Sequence, residues 1–438
     1  MAINESTVLN PMSVSVMPVK GKISRAKAIT AITVGNGLEF FEFTSYSFFA
    51  IIIGKLYFPA EGEFAQLLMI AATFGIGFIA RPVGGLILGL YADRVGRKAA
   101  MTLTLTLMAI GSGLIVIAPT YTYIGIAAPM MIVLARLLQG FALCGEMGAS
   151  TSLLMEYADN NSRGFYGGFQ LLSQNLSALC GALMGLGLTT YLTTEALESW
   201  GWRVPFAIGL LMGPLGVFIR RNLDETLQHS KQEKIVQPSV RTIFSEHWRA
   251  ILTGICVVSG GTAGVYISMY YMPTYAKILH LPMSSGLMAS CVAAAVASIF
   301  APISGIAADR FGRKRMLAIG GILLIVGVYP AFLIITTYSA LPVFLLTVGI
   351  LSMVTMFIAV PMVVILPEMF PHNIRATGIS IVYCISVSVF GGFAPFISTL
   401  LIQQSGSNLA PSWYLLFCCA LTLLAIPFVP EKSGQPLD

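Results

Sequence analysis

The stretch Asp93-Arg94-Val95-Gly96-Arg97-Lys98 returns 216 residues later as Asp309-Arg310-Phe311-Gly312-Arg313-Lys314. Gly89 and Gly305 also match, four residues before the aspartate of each copy. Each copy follows the second long apolar segment of its half of the chain. A repeat at such a distance indicates a duplicated unit, and it predicts two related halves of six helices each.

The composition predicts that these helices cross a membrane. Of 438 residues, 56% are hydrophobic and only 10% are charged, whereas soluble domains contain about a quarter charged residues. A span needs about 20 apolar residues, so the chain has room for about twelve. We therefore predict an all-α membrane protein with twelve transmembrane helices in two six-helix bundles. The predicted helices lie near 29–57, 64–92, 98–119, 123–147, 164–192, 203–220, 249–275, 284–308, 314–337, 341–367, 374–402 and 411–429.

These segments define the expected domain organisation. Between the bundles lies the stretch with the highest local charge density in the chain, which we interpret as a solvated hinge or as a plain spacer with some amphipathic helix. The predicted parts are a cytoplasmic N-terminal segment 1–28, an N-terminal bundle 29–220, a cytoplasmic linker 221–248, a C-terminal bundle 249–429 and a cytoplasmic tail 430–438.

The distribution of basic residues predicts the orientation. With these helices, 20 of the 25 Lys and Arg residues fall on the side that holds the N-terminus, 3 fall on the other side, and Arg81 and Arg136 fall inside spans. Basic residues concentrate in cytoplasmic loops. Both termini are therefore expected in the cytoplasm of a multi-pass cell-membrane protein, for which a bacterial inner membrane is the expected location.

Several function classes are disfavoured. The formal charge of +6 is not arranged as a basic stripe with aromatic residues, so no nucleic-acid partner is expected. The seven cysteines lie in or beside apolar segments without a CxxC pair, and we interpret them as packing residues. The four histidines fall in loops or at helix ends. We therefore expect no metal, no cofactor and no membrane enzyme, but a monomer in a lipid bilayer.

Four charges inside the predicted spans point to a coupling and binding site. Glu39 and Glu42 share one face of the first helix, Arg81 lies in the second and Arg136 in the fourth. Ionisable groups are costly in hydrocarbon and usually face a cavity or a partner. We predict that Glu42, with Glu39 beside it, alternates between pairing with Arg136 and protonation, and that Arg81 and Arg136 bind substrate. A permanent structural ion pair is the alternative.

Two helices add neutral polar faces. Gln170, Gln174 and Ser177 recur on one side of the fifth helix, and Tyr266 and Tyr270 lie in the seventh. Polar faces of this kind line aqueous cavities or form hydrogen bonds between packed spans. We predict Gln170, Gln174, Tyr266 and Tyr270 as substrate-binding residues.

The repeated hexapeptides supply a candidate gate. A short acidic and basic loop can pair with neighbouring helix ends and release them when bundles tilt, or it can serve only as a positive-inside anchor. Duplication at matching positions favours the gate. Glu146 ends the fourth helix, where it is solvated, paired with a loop arginine, or part of this gate. The predicted gating residues in the hexapeptides are Asp93, Arg94, Arg97, Asp309, Arg310 and Arg313.

Several strings resemble the major facilitator superfamily over nearly the whole chain: Gly35-Asn36-Gly37-Leu38-Glu39-Phe40-Phe41-Glu42-Phe43, Arg81-Pro82-Val83-Gly84-Gly85, Arg136-Leu137-Leu138-Gln139-Gly140 and the two hexapeptides. Three others are similar to its metabolite:proton symporters, with the first most like the citrate and tricarballylate transporters: Phe58-Pro59-Ala60-Glu61-Gly62-Glu63-Phe64, Gly201-Trp202-Arg203-Val204-Pro205-Phe206 and Glu368-Met369-Phe370-Pro371 through Arg375-Ala376-Thr377-Gly378.

The resemblance implies alternating access around a central cavity, driven by protons, with Glu368 and Arg375 added to the gating residues. Helix-1 strings of the family usually carry Asp where this chain has Glu42. We expect symport of a small organic anion, a di- or tricarboxylate such as citrate. Proton-coupled efflux of a small anionic drug or toxin is the alternative, since fold and motifs do not encode direction.

Overall fold

A computed structural model describes most of the chain as helices and connecting turns. The described residues are 25–59, 62–95, 97–159, 161–210, 240–338, 340–371, 374–432 and 434–435. At some helical positions only the backbone is described. The side chains of five predicted site residues therefore lie outside the described set, namely Glu39, Asp93, Arg94, Arg97 and Glu146.

The first half contributes five long helices and the described start of a sixth. Short helical turns at Tyr121–Ile124, Thr194–Ser199 and Gly201–Arg203 lie between them. The helices are α1 (Arg25–Tyr57), α2 (Glu63–Val95), α3 (Arg97–Ile117), α4 (Ala127–Tyr157), α5 (Arg163–Tyr191) and α6, described over 204–210.

The second half repeats this order with two interrupted helices. Its α7 joins Val240–Val265, a π turn at Tyr266–Tyr270 and Met272–Ile278, and its α11 joins Arg375–Ser386, a π segment at Val387–Gly392 and Ala394–Ser405. The others are α8 (Met283–Phe311), α9 (Arg313–Thr337), α10 (Leu341–Met369) and α12 (Ala410–Ala425).

A shorter helical segment precedes the apolar part of α7. The backbone leaves helical angles at His247 (φ −116°, ψ 19°), where two helices meet across a kink. The segment before the kink begins at Val240 and lies in the predicted linker, most of which lies outside the described residues. The segment after the kink begins beside the predicted start near 249.

The described helices are apolar enough for a membrane. Nine of them are long and apolar enough to span one, and the shorter apolar helices Leu103–Ile117 and Ala127–Leu143 belong to α3 and α4. Apolar side chains on the outer faces are exposed, including Ile79, Ile299 and Val326. A surface of this kind is stable against lipid and costly in water.

Glycines allow α2 and α4 to cross at close range. A Cβ atom at Gly140 would overlap the carbonyl oxygen of Gly77, and a Cβ atom at Gly84 would overlap the backbone of Phe141. Small residues at such crossings let helices in a bilayer approach until their backbones touch. This crossing brings Arg81 of α2 and Arg136 of α4 to the same level of the bundle.

Two seams join the halves. Along the first, α5 packs on α8, where a Cβ atom at Gly164 would overlap the Gly305 carbonyl and one at Gly185 would lie 3.2 Å from Leu287. Along the second, α2 meets α11, where Ser388 Oγ donates to the Phe78 carbonyl oxygen at 2.7 Å. We call the end of the bundle where Lys55 pairs with Glu198 the Lys55 end, and the opposite one, where α8 ends, the Asp309 end.

Candidate functional site: an arginine pair between the halves

Arg81 and Arg136 lie on the same aromatic ring at the centre of the molecule. Their guanidinium carbons are 4.4 Å and 4.1 Å from the ring centroid of Phe43, and Arg81 also stacks on Phe78 at 3.9 Å. The two arginines are 3% and 0% exposed. Aromatic faces attract cations most strongly where water is excluded. The sequence prediction that these arginines belong to one site fits this arrangement.

Arg136 is oriented by hydrogen bonds within the first half. Its Nη1 donates to Gln139 Oε1 at 3.0 Å and to the Phe43 carbonyl oxygen at 3.3 Å. Gln139 Nε2 in turn donates to Ser112 Oγ at 2.8 Å. Helices α1, α3 and α4 therefore share one polar network.

Glu42 joins this network, although not by the direct pairing expected from the sequence. It is 5% exposed, and it interacts with the Gln139 amide and electrostatically with Arg136. Both residues are described, and the structure gives them no direct ion pair, because Gln139 and the Phe43 backbone hold the Arg136 guanidinium. Gly209 of α6 makes room for Glu42, since a Cβ atom there would lie 2.8 Å from Glu42 Cγ.

The second half contributes tyrosines to the site. The Tyr266 hydroxyl interacts with the Arg81 guanidinium, and Tyr270 and Tyr383 interact electrostatically with the same group. Gln174 interacts with Tyr383. Sequence reasoning missed Tyr383, although Ser380 and Ser386 lie three residues before and after it, a polar spacing that could have pointed to this face of the helix.

Gln170 has a different environment from Gln174. Its Nε2 donates to Asn36 Oδ1 at 3.2 Å, and Asn36 Nδ2 donates to Ser173 Oγ at 2.7 Å. These bonds connect α5 with α1 inside the first half. They correspond to the interhelical hydrogen bonding that was the alternative for the polar face of α5, and a role of Gln170 in binding substrate stays a prediction.

The two π elements of the second half lie against this site. A Cβ atom at Gly391 would lie 2.9 Å from the Tyr266 ring, and one at Gly392 would overlap Phe78. Each π element adds a residue to its helical turn and leaves the regular ladder of hydrogen bonds, and such elements are frequent at functional sites. Here they place Tyr266 and Tyr270 towards the arginines of the first half.

The arginines keep unused hydrogen-bond donors. Within the described part of the chain, Nε and Nη2 of both Arg81 and Arg136 are buried without a hydrogen-bond acceptor, and so is Glu42 Oε1. A buried donor without a partner costs about 1–3 kcal/mol, and more when it is charged. Two guanidinium groups facing one carboxylate leave a positive site that an anion can complete.

A second cluster joins the halves at the Asp309 end. Glu368 of α10 pairs with Arg313 of α9 and with Arg163 of α5 at 3.4 Å, all three side chains being buried. Arg313 Nη2 lies 3.5 Å from Asp309 Oδ1. Sequence reasoning counted Arg163 only among the basic residues of loops.

The other predicted gating residues of the second half have separate surroundings. Arg310 is exposed and lies 5.6 Å from the Phe311 ring. Arg375 is buried, and its Nε donates to the Pro367 carbonyl oxygen at 3.0 Å. Arg375 therefore contacts the chain next to Glu368, whereas Arg310 points away from the cluster.

The string around Trp202 packs at the Lys55 end. Arg203 Nη2 donates to the Ala118 carbonyl oxygen at 2.9 Å and its guanidinium stacks on Trp202 at 4.5 Å. Tyr57 Oη donates to the same carbonyl at 2.6 Å. This string fastens α6 to α1 and α3, and none of these contacts reaches the arginine pair.

Family models match both parts of the chain. The model of the Major Facilitator Superfamily matches residues 35–300. The chain belongs to this superfamily. The model called Sugar (and other) transporter matches residues 221–438. Together the two models cover the α2–α4 glycine crossing, the central arginines and both hexapeptides.

Curated relatives extend over nearly the whole chain. A citrate-proton symporter of Klebsiella pneumoniae is 35% identical over 420 residues, which cover 95% of this chain and 94% of that protein. A proline/betaine transporter of Escherichia coli strain K12 is 31% identical, with 94% and 84% covered. The curated relatives named here are transporters, which is consistent with the expectation that this superfamily member is not an enzyme.

A solved structure supports the fold. The crystal structure of a D-xylose-proton symporter superposes with a TM-score of 0.74 at 18% identity, covering 94% of this chain and 99% of that one. At this identity the likeness concerns the fold alone. The predicted fold class, a twelve-helix membrane protein of the major facilitator type, is confirmed.

Proposed function

We propose that this chain is a proton-coupled symporter that imports a small organic anion, a di- or tricarboxylate such as citrate, by alternating access. The observation that carries the proposal is the buried pair Arg81 and Arg136, with unused N–H groups on both. Arginine forks bind carboxylates with two parallel hydrogen bonds. The relative named a citrate-proton symporter supports the same substrate class.

The charge of the site favours more than one carboxylate on the substrate. Among the described side chains, two guanidinium groups face one carboxylate, that of Glu42, and burial makes an uncompensated charge expensive. A zwitterion with one carboxylate would balance the positive charge of one arginine and would add a cationic group to the site. A di- or tricarboxylate balances both, while the neutral hydroxyls of Tyr266 and Tyr270 can donate to its remaining oxygens.

Glu42 is the proposed proton carrier. When it is ionised, it balances part of the arginine charge, and when it is protonated, the site gains an affinity for anions. Proton binding and anion binding then favour each other, and two ligands that do so are thermodynamically coupled. Glu39, one turn earlier, is the second acid assigned to this step.

Alternating access needs contacts that break at one end while others form. The cluster of Arg163, Asp309, Arg313 and Glu368 joins the halves at the Asp309 end, and we assign it the closing of that end. Arg375 supports it from the backbone beside Glu368. We place this end in the cytoplasm of a bacterial inner membrane, with both termini on that side and the protein acting as a monomer.

Transport by purified protein in liposomes tests the function. With the lumen alkaline, labelled citrate should accumulate, and the accumulation should collapse when a protonophore removes the gradient. Unlabelled dicarboxylates should compete, and proline and betaine should not. Absence of uptake in liposomes, together with lowered susceptibility to an anionic drug in cells that express the protein, would reject import in favour of efflux.

A further inference from the structure

Gln139 holds three neighbours at once. Its Oε1 accepts from Arg136 at 3.0 Å and its Nε2 donates to Ser112 at 2.8 Å. The Glu42 carboxyl lies close enough to interact with the same amide, while its Oε1 has no hydrogen-bond partner. The side chain is completely buried, so its donors and acceptors must find partners inside the protein. Gln139 is therefore the group that links the proposed proton carrier to an arginine of the anion site.

Helix α3 fixes the position of this amide. A Cβ atom at Gly111 would lie 2.8 Å from Gln139 Cγ, so the side chain lies directly on the α3 backbone. Ser112, the next residue, accepts one N–H of the amide. With its stem confined and one N–H engaged, the amide presents its oxygen to Arg136 and its remaining hydrogen-bonding capacity to Glu42.

The hydrogen-bonding capacity of an amide makes it sensitive to a proton on Glu42. The group has two N–H donors and one oxygen with two lone pairs. An ionised Glu42 can accept the second N–H and leaves the oxygen to Arg136. A protonated Glu42 carries an O–H that needs an acceptor, and the second lone pair of Gln139 Oε1 is available. The oxygen is then shared, which weakens its bond to Arg136.

We propose that Gln139 is a positioning residue that transmits the protonation of Glu42 to the guanidinium of Arg136. Protonation releases Arg136 Nη1 towards the substrate anion, and deprotonation restores its bond to Gln139. This inference rests on the proposed function, in which Glu42 carries the proton. It adds a specific path, since Gln139 is bonded to Arg136 and lies beside Glu42, whereas the two charges form no direct ion pair.

In the part of the chain that the structure describes, few charged and titratable groups surround the network. Arg136 is electrostatically coupled to Glu42 and Tyr46 of α1, Arg81 of α2 and Tyr266 of α7. Helices α3 and α6 face it with the uncharged residues Ser112 and Gly209. Among these groups a carboxyl is the one whose ordinary titration lies below neutral pH, while phenol and guanidinium groups titrate well above it.

The test uses Gln139→Leu, which keeps the side-chain volume and removes both the donor and the acceptor of the amide. Two transport modes are compared in liposomes, accumulation driven by a pH gradient and exchange at equal pH. Citrate accumulation driven by a pH gradient should fall about tenfold or more, the effect of losing a bond to a charged group. Exchange of labelled for unlabelled citrate at equal pH should keep its KM within about threefold, and its pH dependence should flatten. Gln139→Met provides the same comparison if the leucine variant does not fold.

Two further variants separate the outcomes. Ser352→Ala removes a buried bond between α10 and α8, from Ser352 Oγ to the Ala293 carbonyl at 2.8 Å, and should leave both modes intact. Full accumulation by Glu42→Gln would reject Glu42 as the proton carrier and the relay with it, whereas absence of accumulation by the unsubstituted protein would defeat the proposed function itself. Loss in Glu42→Gln with full accumulation in the Gln139 variants would defeat only the relay. An equal fall of both modes in the Gln139 variants would assign Gln139 a structural role and also reject the relay.

Discussion

Asp309 Oδ1 accepts a hydrogen bond from the backbone N–H of Gly164 at 2.7 Å, so a carboxylate of one half caps a helix of the other. Its Oδ2 accepts from the backbone N–H of Phe165 at 2.9 Å. The first N–H groups of a helix have no partner within it and carry partial positive charge. The contact therefore holds the halves together at the Asp309 end by charge as well as by shape.

Replacing this carboxylate should loosen the first turn of α5. Asp309→Asn removes the charge and one of the two accepting oxygens, a loss of about 1–2 kcal/mol. Hydrogen exchange of the Gly164 and Phe165 amides should speed up correspondingly. Glu195→Gln, an exposed carboxylate at the Lys55 end, should leave those amides unchanged. Equal protection in Asp309→Asn and the unsubstituted protein would show that the cap does not hold the halves.

The glycine contact beneath this cap gives a second prediction. A Cβ atom at Gly305 would overlap the Gly164 carbonyl, which belongs to the backbone and cannot turn away. Gly305→Ala should therefore lower stability by about 1–3 kcal/mol, as overpacked sites do, and should lower the melting temperature in detergent. Gly187→Ala in α5 meets nothing within 4 Å and should be neutral or slightly stabilising, because alanine favours helix. Similar melting of the two variants would contradict the close approach.

Glu368 should be the most sensitive position of this cluster. Its carboxylate lies between Arg163 and Arg313, and all three side chains are buried. Glu368→Gln removes the carboxylate that Arg163 and Arg313 share and leaves Asp309 as the acid beside Arg313. We expect this loss from a buried cluster to cost about 3–5 kcal/mol. Thermal melting of this variant, of Arg163→Gln and of the double variant forms a cycle. The double variant should be less destabilised than the two single losses added, and strict additivity would argue against a coupled cluster.

The fold could be predicted from the sequence because the signals for membrane spans and for duplication are local. Apolar segments of the right length and a hexapeptide repeated at a fixed distance indicate spans and their number without knowledge of packing. The charges of Glu42, Arg81 and Arg136 stood out for the same reason, since a charge in an apolar segment is visible one residue at a time.

Roles that depend on a partner from another helix were not visible. Arg310 and Arg313 belong to one hexapeptide, but only Arg313 meets Glu368, because α10 passes on that side. Arg163 and Gln139 look ordinary in the sequence, as a loop arginine and a helical glutamine. Their importance arises from Glu368 and from the network of Arg136 and Ser112, which only the assembled bundle brings within reach.

Two of the stacked arginines of the first half, Arg81 and Arg203, allow the same substitution to separate binding from stability. Arg81 stacks on Phe43 and Phe78 in the proposed anion site, and Arg203 stacks on Trp202 at the Lys55 end. Lysine keeps the charge but loses the planar fork that binds a carboxylate with two bonds. Arg81→Lys should therefore raise the KM for citrate about tenfold, with a smaller effect on the maximal rate.

Arg203→Lys should change stability and leave substrate binding unchanged. It loses the bond to the Ala118 carbonyl and should lower the melting temperature while the KM stays unchanged, because no contact of Arg203 reaches the arginine pair. Initial rates of citrate uptake over a range of concentrations, measured beside thermal melting, distinguish the two. If both variants raised the KM alike, the result would reject Arg81 as a specific substrate-binding residue. The anion site would then lie elsewhere in the bundle.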